Sequence, residues 1–266
     1  MPWQECTISF RGKRIAYSRR PGTGTILLLH GLYGDHTHYV GAFKAAPLAD
    51  RGLVAVDLPG LGISDIPDGP ILDVFVDTVR AVLDEHEGPA VIVAHSMSSS
   101  VACRLLDRSA AIVLIEGNII PPHLQISDRI VQMSREAYED EFGRLGARAE
   151  MVLKWETRLR TAEDRRYFAG SYRRCRVGAA WTAAHAVNQD VRADGVLRAL
   201  RSSSRPLCVL YGSSSSFAGT VSQLRGALPR ATFVEIADAS HFTMLDQPEA
   251  VYKAIGDFVQ GVLLRC

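Results

Sequence analysis

Residues 90–102 read Ala90-Val91-Ile92-Val93-Ala94-His95-Ser96-Met97-Ser98-Ser99-Ser100-Val101-Ala102. A compact apolar run stops at His95-Ser96, and small residues then lead into Val101, Ala102, Leu105 and Leu106 at helical spacing. A continuous Val/Ile/Ala run of this length suits a strand buried on both faces of a parallel sheet. The segment therefore reads as strand, sharp turn and helix, with Ser96 at the turn. Such an elbow lifts a hydroxyl out of the sheet and needs small residues two positions to either side. Ala94 and Ser98 meet that need, where glycine is usual. The backbone N–H of Met97, at the helix start, can stabilise an oxyanion. Taken alone, Ser96 also reads as an ordinary helix N-cap.

The same texture extends in both directions. Apolar runs at 25–29, 53–56 and 111–115 end at His30-Gly31, at Asp57 with Pro59-Gly60, and at Glu116-Gly117. Further strands are expected at 206–211 and 232–236, and residues 7–10 and 14–19 read as an antiparallel pair turned at Gly12. Helical spacing covers 71–87, 193–202, 221–228 and 248–264. Strands separated by helices predict a mostly parallel, doubly wound α/β sheet with right-handed crossovers. Ligands then bind beyond the carboxyl ends of the strands. From Ile119 to Asn188 the pattern changes: it is helical and rich in charge, with no buried-strand run. Residues 119–188 are read as an inserted helical cap, and residues 1–118 and 189–266 as the core.

Composition narrows the function classes. The 266 residues carry 30 Lys+Arg against 29 Asp+Glu, so no global basic field favours nucleic acid. A hydrophobic fraction of 47% gives ample surface to bury and excludes disorder as the main state. No apolar run reaches the roughly 20 residues of a spanning helix. Met1 to Phe10 lacks the basic start and apolar stretch of a secretory signal. Cys6, Cys103, Cys175, Cys208 and Cys266 are scattered and odd in number, which fits free thiols in a reducing cytoplasm rather than disulfides or zinc.

Each remaining chemical candidate follows a strand. His30-Gly31-Leu32-Tyr33-Gly34 lets the backbone approach a ligand, with the Leu32 N–H as second oxyanion donor and Tyr33 beside it as a substrate contact. His241, in Ala239-Ser240-His241-Phe242 after the last strand, can take a proton from the serine. His36 and His38, two apart, lack nearby partners for a metal site and read as solvated. His95 is expected to pack against the sheet. In the cap, Trp155, Trp181, Phe168, Tyr167 and Tyr172 either line an apolar pocket or pin helices together. Arg158, Arg160, Arg165, Arg166, Arg173, Arg174 and Arg176 read as a solvated helical face.

Together these residues resemble the α/β-hydrolase superfamily. The resemblance rests on His30-Gly31, on Asp57-Leu58-Pro59-Gly60-Leu61-Gly62-Ile63-Ser64-Asp65, on the Ser96 elbow and on Ser240-His241-Phe242. It implies an eight-stranded sheet, a helical cap after the sixth strand, and a nucleophile, acid and histidine in that chain order. Asp57 and Asp65 fall in the family's structural loop and are read as holding turns. The sequence departs from the commoner pattern at the acid. That pattern has an Asp about three residues past the Gly ending the seventh strand. Here Gly212 is followed by Ser213, Ser214, Ser215 and Ser216. Glu116, directly after the sixth strand, is the nearest substitute, and Asp238 is its rival. One group of haloalkane dehalogenases in the superfamily is similar in carrying its acid after the sixth strand. Those enzymes use an Asp nucleophile, whereas Ser96 points to acyl chemistry.

The resemblance implies a serine hydrolase acting on a carboxylic ester, thioester or lactone through an acyl-enzyme. Ser96, His241 and Glu116 form its triad, and the N–H groups of Leu32 and Met97 its oxyanion hole. No cofactor or metal is expected, and the partner is a small-molecule substrate with an apolar acyl part. Two alternatives use the same pocket: carbon–carbon bond hydrolysis or acyl transfer by the same triad, and a hydrolase-like receptor with little turnover.

Overall fold

The computed structural model describes residues 3–159 and 161–263. Eight strands form one sheet: β1 (Gln4–Phe10), β2 (Lys13–Arg20), β3 (Thr23–Leu29), β4 (Arg51–Val56), β5 (Ala90–His95), β6 (Ser109–Ile115), β7 (Leu207–Gly212) and β8 (Thr232–Ile236). Their order is β1-β2-β4-β3-β5-β6-β7-β8. β2 pairs antiparallel with β1 and β4, and the remaining pairs are parallel.

The hydrophobic pattern explains the layering. Leu27, Leu28, Val93, Ala94, Val113 and Leu114 are fully buried, because helices cover both faces of the central strands. Each buried Leu or Val among them contributes about 1.5–3 kcal/mol by leaving water. The outer strand β1 instead alternates exposed and half-buried positions, as an edge strand does. The helix Ile71–Leu83 buries Ile71, Leu72, Phe75, Val79, Val82 and Leu83 against the sheet. It stops short of the expected 87 because the apolar stripe ends at Leu83. The chain then closes in turns from Glu85 N–H to Val82 O and from His86 N–H to Leu83 O.

Between β6 and β7 the chain is helical: Gln125–Val131, Arg135–Ala147, Ala149–Glu156, Ala162–Arg174 and Val177–Arg192. The last of these carries on past the expected end of the segment at 188. This region is fastened to the core loop after β3. Arg174 pairs with the fully buried Asp35 at 2.6 Å, and Ser171 Oγ meets His38 Nε2 at 3.0 Å. The Arg176 N–H donates to Gly60 O at 2.9 Å.

These contacts correct two expectations. His36 and His38 are not solvated: His38 is 1% exposed, and His36 Nδ1 lies 2.8 Å from Asp57 Oδ1. Arg174 is not part of a solvated face but pairs with the buried Asp35, whereas the Arg176 side chain is 56% exposed, as expected, and meets the half-exposed Asp65 at 3.2 Å; Arg160 lies outside the described residues. Asp57 does hold its loop, with Oδ2 accepting from the Ile63 N–H at 2.9 Å. Cys6, Cys103, Cys175 and Cys208 are free thiols, and Cys266 lies outside the described residues. Among the described residues no helix is long and apolar enough to cross a membrane.

Candidate active site

β3 lies between β4 and β5, so the connection leaving it and the strand arriving beside it run to opposite sides. That reversal opens a crevice above the carboxyl ends of β3 and β5, where α/β sheets bind ligands. The turn after β3 brings Leu32 and Tyr33 there, and the turn after β5 brings Ser96. Loops after β6, β7 and β8 add Glu116, Ser215 and His241.

Three of these residues sit in the left-handed region: Ser96 at φ 53°, Glu116 at 50° and Tyr33 at 62°. Non-glycine residues adopt it only where surroundings hold them. The carbonyl of Ser96 accepts from Ser99 Oγ at 2.8 Å and from the Asn118 N–H at 3.2 Å. The Glu116 N–H donates to Leu210 O at 2.9 Å.

His241 Nε2 lies 3.2 Å from Ser96 Oγ. His241 Nδ1 lies 3.4 Å from Oε2 of Glu116, a carboxylate 2% exposed. The second distance is long for a hydrogen bond. The other carboxylate oxygen, Oε1, accepts from the Gly212 N–H and from Ser215 Oγ, each at 2.7 Å. Asp238, the rival acid, is exposed and makes no bond to His241 among the described residues.

The loop bearing His241 is itself anchored. The Ser240 N–H and hydroxyl donate to Asp246 Oδ2 at 2.7 and 2.5 Å. His95 Nε2 donates to the carbonyl of His241 at 3.0 Å. The acceptor fixes the tautomer, since a carbonyl has no proton to give. Burial first, then the neighbouring His241, holds His95 well below the ordinary imidazole range, so the ring is neutral. Its buried Nδ1 faces Gly31, where a β-carbon would lie 2.6 Å away. His95 is thus wedged between the loop carrying Leu32 and the loop carrying His241, which goes beyond packing on the sheet. The Leu32 N–H has no acceptor among the described residues. Met97 is the second residue of the 3-10 turn Ser96–Ser98, where first-turn N–H groups have no partner within the helix.

These residues border a cavity of about 430 Å³ roofed by helical residues from between β6 and β7. Tyr33 stacks on Tyr172 with centroids 5.3 Å apart and meets Phe142 at 5.6 Å. Its hydroxyl lies 3.0 Å from that of Tyr138. Of the aromatic candidates, Tyr172 lines the cavity, Phe168 packs on His38, Trp181 on His185, and Tyr167 is 48% exposed. The Trp155 side chain lies outside what is described. Sequence reading missed Tyr138, Phe142 and Asn118. Tyr138 and Phe142 left one signal: they are aromatic residues four apart, on one face of an otherwise charged helix.

Comparison with known proteins adds the following. A model described as the alpha/beta hydrolase family matches residues 26–254. No curated protein matches the chain. Among solved structures, a thermophilic esterase from Thermogutta terrifontis is 21% identical, with a TM-score of 0.75 over 97% of this chain and 99% of that one. An epoxide hydrolase from Vigna radiata is 15% identical, with a TM-score of 0.81 over 98% of each chain. An E-2-(acetamidomethylene)succinate hydrolase is 20% identical, with a TM-score of 0.72 over 97% of this chain and 99% of that one. At these identities the likeness extends to the fold, which supports different chemistries.

Proposed function

The chain belongs to the alpha/beta hydrolase family, and from that premise we propose that it is a serine hydrolase cleaving a carboxylic ester, thioester or lactone. The carrying observation is the run of contacts from Ser96 Oγ through the imidazole of His241 to the buried carboxylate of Glu116. In this reading His241 Nε2 takes the Ser96 proton as the hydroxyl oxygen attacks the carbonyl carbon. The N–H groups of Leu32 and Met97 hold the oxyanion of the tetrahedral adduct. Its collapse breaks the bond to the leaving group, which takes the proton from His241. Water, deprotonated by His241, then attacks the acyl-enzyme and releases the acid and Ser96. Glu116 orients the ring and balances the imidazolium. Residues 119–188 serve as the cap that shapes an apolar acyl site, with Tyr33 against the substrate.

A fluorophosphonate is expected to label Ser96, and a panel of p-nitrophenyl esters to be hydrolysed with burst kinetics. Ser96→Ala should abolish both. Unchanged ester turnover in Ser96→Ala defeats the reading, and labelling without turnover of any ester is the signature of a receptor instead.

A further inference from the structure

The cavity is lined by a deeply placed polar side chain, Asn118, that the proton relay does not use. Asn118 follows Glu116-Gly117 after β6, and its backbone N–H bonds the carbonyl of Ser96 at 3.2 Å. That bond keeps the residue beside the nucleophile. Asn118 is 6% exposed and lines the cavity. Its carboxamide makes no hydrogen bond among the described residues, and neither amide atom is sealed off, so the group opens on the cavity. Nearly every polar group at such depth has a partner. The Asn118 carboxamide is thus placed to bond a group that enters the cavity.

The neighbouring walls are of opposite character. Tyr33, Tyr138, Phe142 and Tyr172 make an aromatic enclosure, with Tyr138 and Tyr172 each 2% exposed. Among the described lining residues Arg129 is the only Lys or Arg, and Glu141 lies 3.4 Å from it. The cavity therefore presents no unpaired cation of this kind to an acidic substrate. A carboxamide both donates and accepts, which suits a neutral hydroxyl in either sense.

We propose that the substrate is a neutral ester bearing a hydroxyl on the carbon next to its scissile carbonyl, bonded by the Asn118 carboxamide, with an aryl or similarly flat apolar group among Tyr33, Tyr138, Phe142 and Tyr172. The position follows from reach: tied to the Ser96 carbonyl, Asn118 meets groups bonded close to the carbon that Ser96 attacks. This inference rests on the Ser96 hydrolase reading.

The test compares kcat/KM for methyl phenylacetate and for each enantiomer of methyl mandelate, in the wild type and in Asn118→Ala, alongside fluorophosphonate labelling of Ser96. The two enantiomers share one intrinsic reactivity, so their ratio reports the site alone. One enantiomer is expected to be preferred over the other by about 10-fold or more, the worth of one well-placed hydrogen bond. In Asn118→Ala that ratio should fall toward one. Equal turnover of the enantiomers by the wild type overturns the inference without any variant, as does a ratio that survives in folded Asn118→Ala. Labelling of Ser96 with no turnover of the three esters overturns the substrate class alone. Neither labelling nor turnover overturns the Ser96 reading and this inference together.

Discussion

The hydroxyl of Ser215 donates to Oε1 of Glu116 at 2.7 Å, so the loop after β7 steadies a carboxylate that arises after β6. The same hydroxyl accepts the Phe217 N–H at 3.2 Å, which orients its proton toward Glu116. Bonded at Oε1 by Gly212 and Ser215, the carboxylate keeps Oε2 toward His241.

That arrangement predicts a rescue. Glu116→Gln should lower kcat by about 10³–10⁴-fold, because a neutral amide cannot balance the imidazolium. Adding Ser215→Asp to Glu116→Gln should return at least about tenfold of that loss, while Ser215→Asp alone sets two carboxylates together and should destabilise the fold. Steady-state kcat of the four proteins decides. A double variant no better than Glu116→Gln means that the loop after β7 does not point a side chain at His241.

Gly31→Ala should damage catalysis more than folding. The added β-carbon would lie 2.6 Å from His95 Nδ1 and 3.0 Å from Ser96 Cβ, both on the rigid elbow. The displaced part is then the Leu32 N–H, and losing an oxyanion donor costs about 2.7–4 kcal/mol of transition-state stabilisation. A fall in kcat of about 10²-fold or more, with a melting temperature within a few degrees of the wild type, is expected. A large drop in melting temperature with normal specific activity is the contrary result.

Arg174→Met should loosen the helical region from the core. Asp35 is fully buried and Arg174 35% exposed, so the cost is set at about 2 kcal/mol, below the about 3–5 for breaking a fully buried pair. Urea denaturation measures it. Asp35→Asn combined with Arg174→Met should be less destabilised than Arg174→Met alone, since the double variant leaves no buried carboxylate without its cation.

Stability should fall as the medium becomes acidic. Burial lowers His38 to about 4, against the pull of Asp35, with His30, Arg174 and His36 adding to the lowering. Between the ordinary value near 6.5 and about 4, the unfolded chain takes a proton there that the folded chain refuses. The sign is therefore a loss of stability with falling pH, absent above 6.5. Burial moves His123 the same way, to about 4, while at His36 burial is outweighed by the Asp57 hydrogen bond together with the charges of Asp57 and Asp35, which move it oppositely. From pH 7.5 to 5.5, His38 contributes about 1 kcal/mol of the loss. Urea titrations of the wild type and His38→Gln at both values should differ by that amount, and equal losses would remove His38 from the explanation.

Local pattern alone determined much of this protein. Apolar runs such as 90–94 and 111–115 can be buried on both faces only as central strands, so the layered sheet followed from hydrophobicity and period. Short turns at strand ends also singled out Ser96, His241, Leu32 and Met97 as candidates, because the chemistry must stand beyond the carboxyl edge, whereas Glu116 entered only through the α/β-hydrolase resemblance. The identity of the carboxylate facing His241 was another matter. Glu116 and Asp238 are both acids at strand ends, and the choice depends on distance between segments 125 residues apart in the chain. The same holds for Tyr138, Phe142 and Asn118, and for Arg174 on Asp35. Their contacts are set by how helices with mixed charge dock on the core, and a periodic pattern reports which face is apolar but not what it meets. Tertiary packing decided those partners, since only the folded chain brings groups remote in sequence within hydrogen-bond reach.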